Sequence, residues 1–116
     1  MMDSWFNYLN SLEKRKKDAV LDILQLCESI IPDTERAMPY GVPGLKFRHK
    51  NIIAVAAHSG HLGVYPFSPD IVSSAANKFN ISNMAKGTLR FSFDQLPNEE
   101  LITYIVSLRQ KEIEKL

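Results

Sequence analysis

The chain has 116 residues, of which 45% are hydrophobic and 23% charged, and its formal net charge is +1. We expect one domain spanning residues 1–116, and the near-neutral charge predicts no nucleic-acid partner. The longest purely apolar run, residues 52–57, is too short to cross a bilayer, so we expect no membrane partner. The single cysteine and the lack of a leader-like N-terminus predict a cytoplasmic location.

The first half of the chain predicts one long helix followed by short strands. Apolar residues recur at three- and four-residue spacing over residues 11–31, and Pro32 ends this helix. Strands are expected over residues 35–38 and 45–48, joined by a turn rich in proline and glycine. The next turn is expected at residues 49–51.

A β-hairpin is predicted where the apolar run 52–57 meets a second extended run beyond Ser59-Gly60. With these two residues as the turn, Ala57 pairs with Leu62, and the antiparallel pairing continues to Ala54 with Tyr65. One face then points to the core, and the other carries Ala54, Ala56, His58, His61, Gly63 and Tyr65. Such a floor of small residues either lets another element pack closely or forms a groove for a ligand.

The second half of the chain predicts a helix, a strand and a final helix. Ser68 is expected to cap the first of these helices, with Pro69 at its first position. Residues 80–87 are predicted to be a loop, residues 88–93 alternate as in a half-buried strand, and the last helix opens near residue 97. This order predicts an α+β fold, with a mostly antiparallel sheet packed against N-terminal and C-terminal helices.

Two groups of residues are candidate metal ligands. His58 and His61 would offer two nitrogens at the hairpin tip, but a metal site normally needs a third ligand, so two exposed polar side chains are the alternative. Asp18 and Asp22 lie one helical turn apart and could hold a cation weakly, or they form the solvent side of the helix. Cys27 falls on the apolar stripe and is expected to be buried.

Several separated motifs occur in a recognisable order. They are Tyr40-Gly41-Val42-Pro43, His61-Leu62-Gly63-Val64-Tyr65-Pro66, Lys86-Gly87-Thr88-Leu89-Arg90-Phe91, and a closing helix with Leu101, Ile102, Ile105, Val106 and Arg109. Together they resemble the YdhG-like family of small bacterial proteins, some of which are described as frataxin-like intracellular iron chaperones. The resemblance implies a frataxin-like sandwich of helices on an antiparallel sheet.

The same resemblance implies a function. It implies a non-enzymatic protein that binds iron and delivers it to iron–sulfur or haem assembly proteins. Frataxin-type iron binding uses acidic surface residues, and the matching region here holds Asp18, Asp22 and Glu28. The helix opens with Glu13-Lys14-Arg15-Lys16-Lys17, however, which departs from an acidic ridge.

An alternative hypothesis is a domain that binds a small ligand or a protein partner in a groove on the second hairpin face. The residues expected around that groove are Tyr40, His58, His61, Tyr65 and Lys86. An enzyme would need an acid/base pair close in space, for which His61, Tyr65 and Lys86 are the candidates.

Overall fold

The structure is a computed structural model that describes residues 4–116. Its helices are α1 (Phe6–Asn10), α2 (Lys14–Ile30), α3 (Pro69–Lys78) and α4 (Glu99–Glu114), with a 3₁₀ turn at Pro39–Gly41. Its strands are β1 (Glu35–Ala37), β2 (Gly44–Phe47), β3 (Lys50–Ala57), β4 (Leu62–Tyr65), β5 (Met84–Ala85) and β6 (Thr88–Phe91).

The six strands form one sheet in the order β1-β2-β3-β4-β6-β5, and every neighbouring pair is antiparallel. Helices α2, α3 and α4 pack against the sheet face that carries Ile53, Val55, Leu62 and Val64. The predicted α+β class is therefore confirmed. No helix in the described part of the chain is long and apolar enough to cross a membrane.

The β3–β4 hairpin has the predicted register. Val55 faces Val64 and Ala57 faces Leu62, and the His58 N–H donates to the His61 carbonyl at 2.8 Å. Because side chains alternate along a strand, this register sends the small residues of β3 away from the helices. The two faces of the hairpin are thus divided as the sequence predicts.

The ends of the helices follow local capping chemistry. The Ser68 hydroxyl accepts from the Ile71 N–H at 3.3 Å, which confirms the predicted cap of α3. The Asn98 side chain accepts from the Leu101 N–H at 2.9 Å, so α4 begins two residues after Pro97. The helix predicted over residues 11–31 is α2, the short helix α1 precedes it, and neither N-terminus has a side-chain cap.

Two predictions about strands were wrong in detail. The predicted loop 80–87 contains the strand β5, which is too short to show any alternation and exists because it pairs with β6. The turn between β2 and β3 lies at Arg48-His49, one residue earlier than expected, because Phe47 pairs with Lys50. Both turn residues have positive φ, 50° and 66°. Such a two-residue turn normally carries asparagine and glycine, and neither is present here.

Substituting His49→Gly is expected to raise the free energy of unfolding by about 1 kcal/mol. Glycine adopts positive φ without steric cost, whereas histidine at 66° is strained. Urea unfolding followed by circular dichroism measures the change. The control is Lys50→Gly in β3, which should lower stability, because glycine weakens a strand. Equal losses in both variants would contradict this account of the turn.

Candidate functional site

A cavity of about 530 Å³ opens on the sheet face that points away from the helices. Ala54 and Ala56 line it from β3, and each is only 1% exposed although neither belongs to the main core cluster. Three stretches of chain form its walls: residues 39–42, residues 67–69 at the start of α3, and Gly87 with Thr88, where the β5–β6 turn enters β6. The small-residue face thus shows both features: Ala54 and Ala56 line a cavity, and Tyr65 packs closely on Gly63.

His58 and Tyr65 form the polar side of this cavity. The His58 Nε2 and Tyr65 Oη atoms lie 2.9 Å apart, and which atom donates depends on the histidine tautomer. The tyrosine ring lies over Gly63, where an added Cβ would approach Tyr65 Oη to 2.8 Å. The absence of a side chain at Gly63 thus allows the Tyr65 ring to lie across β4.

The shifts in pKa favour the neutral form of both groups of this pair near pH 7. Burial lowers the pKa of His58 from 6.5, and the positive charges of His61 and Arg90 lower this pKa further. Burial is also the main cause that raises the pKa of Tyr65 above 10. A neutral imidazole beside a neutral phenol can donate and accept hydrogen bonds, but it adds no charge to the cavity.

His61 lies beside the cavity and not on its lining. Its ring centroid is 4.7 Å from that of His58, so the predicted neighbourhood of the two histidines is present. No group of three or more His, Cys, Asp or Glu residues that could hold a metal occurs among residues 4–116. The histidine pair therefore offers two nitrogens only, short of a usual metal site.

Two aromatic rings stand at the rim of the cavity. The Tyr40 and Phe67 rings lie 6.3 Å apart between centroids, with an angle of 18° between their planes. Tyr40 is 91% exposed. The sequence reasoning named Tyr40 but missed Phe67, since a single aromatic residue between a strand and a helix start carries no signal of its own.

The structure separates Lys86 from the cavity and brings Arg90 near it. Lys86 is exposed in the β5–β6 turn, and its neighbours Gly87 and Thr88 line the cavity instead. Arg90 faces Gly63 across the β4–β6 ladder, so its side chain lies on the face of Tyr65. The position of Arg90 depends on the pairing of β4 with β6, which no local sequence pattern specifies.

The acidic residues of α2 lie apart from this site. The Asp18 carboxylate accepts from Lys14 Nζ at 2.6 Å, and the Glu28 carboxylate accepts from Arg36 at 2.8 and 2.9 Å. Glu28 follows Asp22 by six residues, so the two lie on different sides of the helix. Their role as an iron site stays a prediction.

Cys27 is buried in the core, as predicted. Burial raises the pKa of its thiol to about 12, so the thiolate that nucleophilic chemistry requires is scarce near neutral pH.

Comparison with known proteins bears on the fold. No protein-family model matches the sequence, and no curated protein matches it either. A crystal structure of the Bacillus subtilis protein YdhG, from the DUF1801 family, is similar to this structure with a TM-score of 0.87. The chain has the YdhG fold. The match covers 98% of this chain and 94% of YdhG.

The similarity to YdhG confirms the fold that the sequence motifs predict and goes no further. The two proteins are 13% identical, which is too low to transfer a function. The family of YdhG is itself designated a domain of unknown function. The frataxin-like iron role that the resemblance implied gains no support from this comparison.

Proposed function

We propose that the protein binds a small, neutral and largely apolar ligand in the cavity on the outer face of its sheet. The observation that carries the proposal is the cavity itself, about 530 Å³ in volume. Sites for small molecules usually have volumes of 300 to about 1,000 Å³ and are lined mostly by apolar groups with a few polar ones. Ala54, Ala56, Pro39 and Val42 supply apolar surface here, and His58 with Tyr65 supplies the polar pair.

The charge of the lining indicates the charge of the ligand. None of the described residues that line the cavity is Asp, Glu, Lys or Arg. A buried charge without a partner is costly, and the described lining residues offer an ionised ligand no oppositely charged partner. A hydroxyl or carbonyl group could instead bond to His58 or Tyr65, since this neutral pair contains both donors and acceptors.

Iron binding remains a second hypothesis from the sequence resemblance, with iron–sulfur or haem assembly proteins as its recipients. The acidic residues that it would use are ion-paired in two cases, Asp18 with Lys14 and Glu28 with Arg36. An iron ion would compete with these basic side chains for the carboxylate oxygens. Among residues 4–116 no charged side chain lines the cavity, so a neutral ligand meets no such competition there, and for this reason we place the function there.

The proposal is tested by filling the cavity. Substituting Ala56→Leu adds a larger side chain to the lining and is expected to weaken binding at least tenfold. The probes are benzyl alcohol and its saturated counterpart cyclohexylmethanol, each titrated into isotope-labelled protein while the amide signals of Gly63, Phe67 and Gly87 are followed by NMR. The control is Ser73→Leu, which adds the same side chain at an exposed position of α3 and should leave binding unchanged.

The proposal is wrong if neither alcohol gives saturable shifts in the wild-type protein at concentrations up to about 10 mM. That limit would detect binding with a dissociation constant of about 1 mM, the weak end of the usual range. It is also wrong if Ala56→Leu binds both alcohols as tightly as the wild type does. Thermal unfolding of each variant, measured alongside, shows whether the fold is intact.

A further inference from the structure

The backbone is strained at both aromatic residues of the rim, Tyr40 and Phe67. Five residues other than glycine have positive φ in the described part of the chain. Arg48 and His49 form the two-residue β2–β3 turn, and Asn80 follows the end of α3, where asparagine is favoured. The remaining two are Tyr40 at 53° and Phe67 at 58°.

The fold alone gives little reason for a tyrosine at position 40. Tyr40 follows Pro39 in a turn that is closed by a bond from the Gly41 N–H to the Met38 carbonyl, at 3.1 Å. A positive φ at this position favours glycine or asparagine. The ring is 91% exposed, so burial returns little to offset the strained backbone. Strain of this kind is often found at ligand sites.

We infer that the ligand contains a flat aromatic ring, which Tyr40 and Phe67 bind by stacking while His58 and Tyr65 hold its polar group. This inference rests on the proposed function and specifies the class of ligand. The two rings are within 18° of parallel, so both can present a face to the same planar group. Stacked or offset rings attract each other beyond the gain from burial alone.

The spacing of the rings is slightly smaller than this role requires. A flat ring between two others needs a centroid separation of about 7 Å, twice the contact distance of carbon atoms. The observed separation is 6.3 Å. An outward movement of Tyr40 by roughly 1 Å would therefore suffice, and the exposure of its ring leaves room for that movement.

The experiment compares benzyl alcohol with cyclohexylmethanol, which has the same number of heavy atoms and the same hydroxyl but a puckered ring. Cyclohexylmethanol is the more hydrophobic of the two, so burial alone would favour it. We expect the wild-type protein to bind benzyl alcohol about fivefold more tightly. Tyr40→Leu should reduce this preference below twofold, whereas Tyr40→Phe should keep it. Phe67→Leu should also reduce it.

The outcomes separate this inference from the proposed function. If the wild-type protein binds cyclohexylmethanol as tightly as benzyl alcohol, the inference is wrong and the proposed function stands. If Tyr40→Leu and Phe67→Leu both retain the fivefold preference, the stacking role is wrong. If neither alcohol binds, the proposed function fails and the inference fails with it.

Discussion

Replacing Trp5 with alanine is expected to lower the free energy of unfolding by about 4 kcal/mol, the usual loss for a buried tryptophan. The side chain is completely buried, and it is one of the largest in the core. Its indole N–H donates to the carbonyls of Ala37 and Gly44, at 3.1 Å each. The substitution therefore removes packing and leaves a void, and it also takes a donor away from two strands.

Urea unfolding measures this loss, and Phe6→Ala is the matched control. Phe6 is the next residue in the chain and is also aromatic, but it is 46% exposed. Its removal should cost less than about 1 kcal/mol. A loss below 2 kcal/mol for Trp5→Ala would contradict the burial of the indole.

Trp5 also contacts the segments that flank one wall of the cavity. Its two acceptors, Ala37 and Gly44, lie on either side of the 3₁₀ turn that forms one cavity wall. The Cζ atom of Arg36, in β1, lies over the indole, 4.0 Å from the ring centroid. Trp5, which directly precedes α1, thus links β1 to β2 beside this wall of the cavity.

The hairpin shows what the sequence predicts well. Its register followed from two local signals, the Ser59-Gly60 turn and the alternation of side chains on both sides of it. A shift by one residue would have placed Val55 and Val64 on the cavity face, so the hydrophobic pattern excludes it. The β2–β3 turn lacks such signals, because Arg48 and His49 adopt a conformation that their residue types disfavour.

The cavity could be predicted only in part. Its floor follows from the hairpin alternation, which places Ala54, Ala56 and Tyr65 on one face. Its walls come from three segments that are far apart in the sequence, and nothing local brings residues 39–42 to residues 67–69. The position of Phe67 depends on a positive φ that no sequence pattern predicts.

The family resemblance predicted the fold correctly, whereas the iron-binding function that it implied stays a prediction. Residues 40–43 form a turn and residues 61–66 contain the strand β4, so these motifs bear on the fold and not on a reaction or a ligand. The iron hypothesis depended on the acidic residues of α2, which no fold motif fixes. In this structure Asp18 and Glu28 engage basic neighbours, which shows why a carboxylate in a matching region is weak evidence for a metal site.

Gly44 affects both the stability of the fold and the position of one cavity wall. An added Cβ there would lie 2.6 Å from the Ile53 carbonyl oxygen and 2.8 Å from Pro39 Cγ. The first contact is with backbone inside the sheet and cannot be relieved by rotating a side chain. The second is with the residue that precedes Tyr40. The absence of a side chain at position 44 thus lets the 3₁₀ turn pack directly on β2 and β3.

Substituting Gly44→Ala is therefore expected to lower the free energy of unfolding by about 2–3 kcal/mol, as overpacking does. Because Pro39 must move, Tyr40 should also lose its position opposite Phe67, and the preference for benzyl alcohol over cyclohexylmethanol should fall. The control is Gly60→Ala at the tip of the β3–β4 hairpin, where an added Cβ meets nothing within 4 Å. Urea unfolding and the NMR titration measure the two effects. If Gly44→Ala matches this control in both, the close packing of Pro39 on the sheet does not position the rim.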